Sequence, residues 1–230
     1  MISVVFWKWK KEGYRSQFTH EHVNTARDMV KRNTTLPVRF ICVTDDPEGI
    51  DMETIPLWEN PYAGYGSNSA PNCFYRLKAF DPEIKHIFGE RFIWMDLDMI
   101  VLGNIDNIIG APDDFAMWGD TRYNGQYNGS LCIMNAGARA HVWRDFQGHT
   151  SVQKAHMAGF WGSDQAWISY TTKMDGRKFG MQDGVYSYNV HLLGMTSPPE
   201  NAKLVFFHGA NDPWSKDVQT QHKWIRESYK

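Results

Sequence analysis

Asp96 and Asp98 stand two residues apart in Phe92-Ile93-Trp94-Met95-Asp96-Leu97-Asp98-Met99-Ile100-Val101-Leu102, a run that is otherwise apolar. Residues i and i+2 of a strand share a face, so both acids can reach one ligand at a strand's C-terminal end. Two like charges in apolar surroundings are costly unless a cation or a donor neutralises them. A divalent metal ion does this, because hard cations favour carboxylate oxygens. A bare Asp-x-Asp more often caps a turn or pairs with an Arg. Here the end of a hydrophobic strand favours the metal, since ligands of open α/β sheets bind beyond the carboxyl ends of strands. His208 is a third candidate ligand. It closes the apolar run Leu204-Val205-Phe206-Phe207 and is followed by Gly209. Neutral imidazole suits Mn²⁺ better than Mg²⁺, although a hydrogen-bonded structural His is the alternative.

These residues need a frame. Residues 2–7, 38–44 and 52–55 read as strands, 8–14 as a polar loop, and 17–32 as a helix between the first two strands. Strand, helix, strand at this spacing is a βαβ unit and implies a parallel sheet covered by helices. Residues 91–95, 114–118, 130–134 and 204–207 read as further strands. Residues 73–80, 138–147 and 163–172 read as helices, Asp81-Pro82 as a helix start, and 213–229 as a closing helix. Residues 60–72 form a Gly-, Ser- and Asn-rich loop with Gly64 and Gly66, a candidate lid. No internal repeat breaks this order, so the expectation is one α/β domain over 1–230, a mixed central sheet flanked by helices.

Composition excludes several classes. The 230 residues carry 24 Lys+Arg against 26 Asp+Glu, so no broad basic surface awaits nucleic acid. No apolar run approaches the ~20 residues that span a bilayer. The N-terminus lacks a basic segment ahead of a long apolar one, and reads as a strand rather than a signal peptide. Cys42, Cys73 and Cys132 form no paired motif, which suggests reduced thiols and a cytoplasmic location. There is no GxxxxGK[ST], HExxH or GxSxG motif. Ten Trp are unusual. Most should serve the core, though indoles also cover the apolar faces of sugar rings.

The chain resembles the GT-A glycosyltransferases, family 8 in particular. Cys73-Phe74-Tyr75-Arg76-Leu77 followed by Trp94-Met95-Asp96-Leu97-Asp98 and Ile105 is similar to that family's Y-R-L … D-x-D … I core. Tyr127-Asn128-Gly129-Ser130-Leu131-Cys132-Ile133-Met134-Asn135 resembles its F-N-S-G-V-M-L-I-N segment, with Gly and Ser exchanged. Asp164-Gln165 resembles its D-Q motif, and His208-Gly209-Ala210-Asn211-Asp212-Pro213-Trp214 its H-x-x-G-x-x-K-P-W ending, with Asp212 in place of Lys. The resemblance covers residues 73–214 in unbroken order.

The resemblance implies a GT-A (Rossmann-like) fold and transfer of a hexose from a nucleotide-sugar, UDP-linked, to a glycan, lipid or protein hydroxyl. Asp96, Asp98 and His208 would hold Mn²⁺ (or Mg²⁺). Arg76 and Leu97 would lie at the donor, and Phe6, Trp7, Thr44 and Asp45 around its nucleoside. Lys216 would replace the missing phosphate-binding Lys. Gln165 would sit at the anomeric centre, Asp164 on the sugar hydroxyls and Asn128 on the acceptor side. The D-Q motif favours retention; inversion would need a base, for which Asp164 and Asp183 are candidates. Two other readings stay open. A sugar-nucleotide pyrophosphorylase would use Lys8, Lys10 and Lys11 for phosphate, and a carbohydrate-binding module would need no catalysis.

Overall fold

The structure is a computed structural model that describes residues 1–10, 17–62, 72–119, 125–209 and 211–230. The chain opens with strand β1 (Ile2–Lys8), helix α1 (His20–Arg32), and strands β2 (Val38–Thr44) and β3 (Glu53–Pro56). α1 forms because Val23, Ala26, Met29 and Val30 recur at helical spacing and bury one face. His22 Nδ1 accepts from Thr19 N at 3.0 Å to close its first turn, and Lys31 and Arg32 lie in its last. The expected βαβ unit is present: β1 pairs with β2 in parallel over its whole length, from Ile2 opposite Val38 to Lys8 opposite Thr44.

The α-helix expected over 73–80 is instead a 3₁₀-helix, Asn72–Phe80. Asp81 caps the next short turn, Pro82–Ile84, by accepting from Glu83 N at 3.1 Å. Helix α2 (Lys85–Phe88), β4 (Arg91–Met95), β5 (Met99–Val101), α3 (Asp106–Ile109), β6 (Phe115–Gly119) and β7 (Tyr127–Asn135) follow. Then come α4 (His141–Arg144), α5 (His149–Met157), α6 (Asp164–Thr172), β8 (Arg177–Phe179), β9 (Val185–Ser187), β10 (Leu204–Phe206), α7 (Lys216–Gln221) and α8 (Lys223–Ser228).

The main sheet has seven strands in the order β3-β2-β1-β4-β7-β6-β8, and a second has three, β5-β10-β9. β1 and β4 run parallel, while β7 runs antiparallel to β4, with Met95 opposite Leu131. The carboxyl ends of β1, β2 and β4 therefore share an edge with the start of β7. Alternation divides the core. Val4, Phe6, Ile93, Met95, Leu131 and Ile133 face α1, whereas Val5, Trp7, Phe92, Trp94, Cys132 and Met134 pack on Phe74, Leu77, Phe80, Trp167 and Ile168.

Two expectations change here. The single closing helix is broken at His222, whose buried ring reaches Tyr188 Oη at 2.8 Å through Nε2. That contact draws the backbone into an extended turn between α7 and α8. Asp96 and Asp98 lie not on one strand but in the three-residue link between β4 and β5, where the chain leaves the large sheet for the small one.

Candidate active site

The link carrying the two acids is fixed from both sides. Asp96 N donates to Ser130 O at 2.9 Å, extending the β4–β7 ladder by one residue. Phe207 N donates to Asp98 O at 2.7 Å, extending the β5–β10 pairing. His208 thus follows the residue that pairs with Asp98. Sequence neighbours of one motif and a residue over a hundred positions away meet at one sheet edge.

Arg76 sits at the centre of the edge. Its Nε and Nη2 donate to Asp164 at 2.8 and 3.2 Å, and its Nη1 donates to Asp96 Oδ1 at 2.6 Å and to Gly129 O at 2.8 Å. The Arg76 side chain is 5% exposed and that of Asp164 1%, while Asp96 keeps 30%. Burial alone would lower the guanidinium pKa; Asp164 first, then Asp96, outweigh it and hold the pKa well above the usual value. Burial pushes the Asp96 carboxyl up against the opposing pull of Arg76.

The close fit explains the Asn-Gly-Ser order. A Cβ on Gly129 would stand 2.8 Å from Arg76 Nη2, so a side chain there meets the guanidinium. Trp94 Nε1 also donates to Gly129 O at 2.8 Å. Gly129 N in turn donates to Gln165 Oε1 at 3.2 Å, which ties the first turn of α6 to β7. Asn128 Oδ1 accepts from Ser130 N at 2.9 Å on the same strand.

On the other side, His208 Nε2 shares a hydrogen bond with Ser187 Oγ at 2.7 Å, and its ring lies 6.0 Å from Trp118. The neighbourhood is acidic. The buried Tyr229 hydroxyl titrates far above its ordinary range, first through burial, then through the charges of Asp212 and Asp98. Among the described residues no three His, Cys, Asp or Glu side chains are drawn together at metal-ligand spacing.

Other sequence candidates fall into place unevenly. Phe6, Trp7 and Leu97 have core side chains, so only their backbone is available to a donor. Asp45 accepts from Lys10 N through both oxygens at 3.1 Å, and Thr44 Oγ1 accepts from Asp46 N at 3.0 Å. Thr44 and Asp45 line a small open cavity of about 280 Å³ with Ile55 and Leu57. Lys216 is exposed at the start of α7. Asp183 pairs with Arg177 at 2.6 Å and accepts from Gly180 N at 2.9 Å. The candidate lid lies, over 63–71, outside the described residues.

One residue lies in a different element from the one expected. Lys8, taken as the start of a polar loop, is the buried last residue of β1 and donates to Asp46 Oδ2 at 2.8 Å and Asp46 O at 3.0 Å. Lys10 lies 3.2 Å from the same carboxylate. Lys8, with Lys10 after it, holds the Asp46 carboxyl below its usual range. Of the three lysines that a pyrophosphorylase would spend on phosphate, Lys8 and Lys10 are engaged at Asp46 in the β2 turn, and Lys11 lies outside the described residues. The signal was there: Lys8 continues the strand register opposite Thr44.

No family model matches the sequence, and no curated protein matches it. Solved structures do match. The galactosyltransferase LgtC, in complex with donor and acceptor sugar analogs, superposes with a TM-score of 0.63 at 13% identity, over 100% of this chain and 97% of that one. The glycosyltransferase GlyE of Streptococcus pneumoniae TIGR4 gives 0.63 at 12% identity over 98% of this chain, which spans 61% of GlyE. Likeness at this identity establishes the architecture: the chain has a GT-A fold, as its motifs implied.

Proposed function

We propose that this protein is a metal-dependent glycosyltransferase that moves a hexose from a UDP-linked donor to an acceptor hydroxyl with retention, and that 1–230 form its single GT-A domain. One observation carries the reading. At the carboxyl edge of a GT-A sheet, Arg76 joins Asp96 to Asp164, while Phe207, the residue before His208, pairs with Asp98. That LgtC and GlyE are glycosyltransferases supports it further.

The donor set suits Mn²⁺ or Mg²⁺ chemically. Two carboxylates and an imidazole stand in an acidic setting that Asp212 reinforces, and a cation relieves it. Asp96, Asp98 and His208 would hold the ion after side-chain rotation, since Asp96 here faces Arg76. A bound ion of this kind supplies Lewis-acid stabilisation to a departing diphosphate.

The chain's own groups do the rest. Arg76 is fixed by two carboxylates, and that preorganisation makes a cation effective toward growing phosphate charge. Gln165 is anchored to Gly129 N and brings an uncharged amide to the start of α6. Asp164 is buried under Arg76 and also accepts from Ser163 Oγ at 3.0 Å, which suits a positioning residue better than a general base. With Asp183 engaged by Arg177, retention is favoured over a base-assisted inversion. Thr44 and Asp45, beside their cavity, are the nucleoside contacts, and Asn128 faces the acceptor. No helix among the described residues is long and apolar enough to cross a membrane, and Cys42, Cys73 and Cys132 are free thiols. We read the protein as cytoplasmic.

The test is UDP release from UDP-glucose and UDP-galactose. Release that needs Mn²⁺ and stops with EDTA supports the proposal. Binding without turnover in any acceptor mixture favours a carbohydrate-binding module and ends it.

A further inference from the structure

Among the exposed apolar side chains, Trp161 differs from the rest. It is 52% exposed, yet its position is tightly determined. The buried amide of Gln126 brackets its backbone: Gln126 Nε2 donates to Trp161 O at 2.8 Å, and Trp161 N donates to Gln126 Oε1 at 2.9 Å. The ring of His156 stacks on the indole at 5.5 Å and 25°, covering one face, and His156 Nε2 reaches Gly162 O at 3.1 Å. Gly162 has φ +106, a left-handed conformation that turns the chain sharply into α6. Four residues on, Gln165 Nε2 donates to Trp161 O at 3.4 Å. The Trp161 backbone is therefore tied to the same amide that anchors to Gly129 in the candidate site.

Half-exposing an indole forfeits apolar burial, and holding its backbone by two hydrogen bonds and its ring by a stacked imidazole serves no core. A rigid aromatic with one covered face and one open face presents a flat surface to a ligand at little entropic cost. We propose that the open face of Trp161 is the platform on which a neutral pyranose ring of an oligosaccharide acceptor stacks, and that this residue selects sugar acceptors over acyclic ones. The proposal rests on the reading of the site as a glycosyl-transfer centre. It adds the acceptor's chemical class, a neutral sugar ring, to that reading.

The experiment labels the protein with 5-fluorotryptophan and follows the fluorine resonances of its ten Trp. The Trp161 signal is assigned by its absence in Trp161→Phe. Lactose, cellobiose, maltose and diacetylchitobiose are each titrated to about 20 mM, enough to detect millimolar affinity, beside sorbitol, which has no ring. The expected result is a saturable shift of the Trp161 signal with at least one disaccharide and none with sorbitol. For a disaccharide that also accepts sugar, Trp161→Ala raises its KM about tenfold or more, and Trp161→Phe recovers most of the loss. A Trp161 signal unmoved by every disaccharide, or moved equally by sorbitol, overturns the platform. UDP release by the unsubstituted protein is measured in parallel. Its absence sinks the transfer reading whatever the spectrum does, whereas an unmoved signal in a protein that releases UDP sinks the platform alone.

Discussion

Arg76 and Asp164 lie 88 positions apart and meet in a buried two-pronged ion pair, Nε to Oδ2 at 2.8 Å and Nη2 to Oδ1 at 3.2 Å. The pair locks α6 onto the 3₁₀ segment that carries Arg76, and so fixes Gln165 relative to Asp96. Buried pairs are expensive to desolvate, so their removal as a unit can be harmless while breaking them is not. Asp164→Ala should cost about 3–5 kcal/mol in urea unfolding. The double variant Arg76→Met/Asp164→Leu should recover most of that stability yet release no UDP. Recovery of both stability and activity would show that the pair serves folding only.

Gly129 predicts a narrower effect. Its added Cβ would meet Arg76 Nη2 at 2.8 Å, with Arg76 held by two carboxylates and unable to yield freely. Gly129→Ala should destabilise by about 1–3 kcal/mol and displace the guanidinium from Asp96. A Tm equal to that of the parent protein would mean the guanidinium has room to move.

Asp106 ties the turn before β2 to α3. It accepts from Thr34 Oγ1 at 2.6 Å, Thr35 Oγ1 at 2.6 Å, Thr35 N at 2.9 Å and Asn104 Nδ2 at 2.9 Å. These donors, Thr34 foremost, hold its carboxyl well below the usual carboxylate range. A depressed folded pKa gives stability that is present above the unfolded value, about 3.9, and is lost as pH falls through the folded one. Asp106→Ala should cost about 1–3 kcal/mol at neutral pH, and the gap to the parent should narrow as pH drops below about 4. A gap that stays constant to acid pH would contradict the assignment.

Cys42 makes the opposite prediction on the alkaline side. Burial pushes its thiol up to about 12, against a smaller lowering by Lys8. The unfolded thiol ionises near pH 8.5. The folded state then holds the proton longer, so stability falls as pH rises between the two values. Cys132 is raised by burial in the same direction. Neither thiol should react with a disulfide reagent before unfolding, and Cys42→Ala should flatten the fall in Tm above about pH 8.5. Rapid native labelling of either thiol would show that the sheet opens.

Much of this architecture was legible because its strands are buried on both faces. Val4, Ile41 and Ile93 sit in continuous apolar runs that read as central strands. β8 was not legible, since Arg177 and Lys178 are exposed on an edge strand held by β6 alone. β5 and β9 are three residues each, too short for a pattern, and α5 buries only Ser151 and Ala155. In the site, the acids, Arg76, Asp164 and Gln165 stood out by motif. Their mutual arrangement did not, because the Arg76–Asp164 pairing is a property of packing. Lys8 was not legible as a strand residue because a charged side chain is rarely buried at a strand end.

In the proposed reaction Asp98 helps hold a divalent ion for the donor's diphosphate. Calorimetric titration of Mn²⁺ into the protein with UDP present tests it most directly. The expected result is one saturable ion in the parent protein and affinity lowered by about tenfold or more in Asp98→Asn, with the circular dichroism of the two unchanged. Equal Mn²⁺ affinity in both proteins, or no binding by the parent protein, would contradict it.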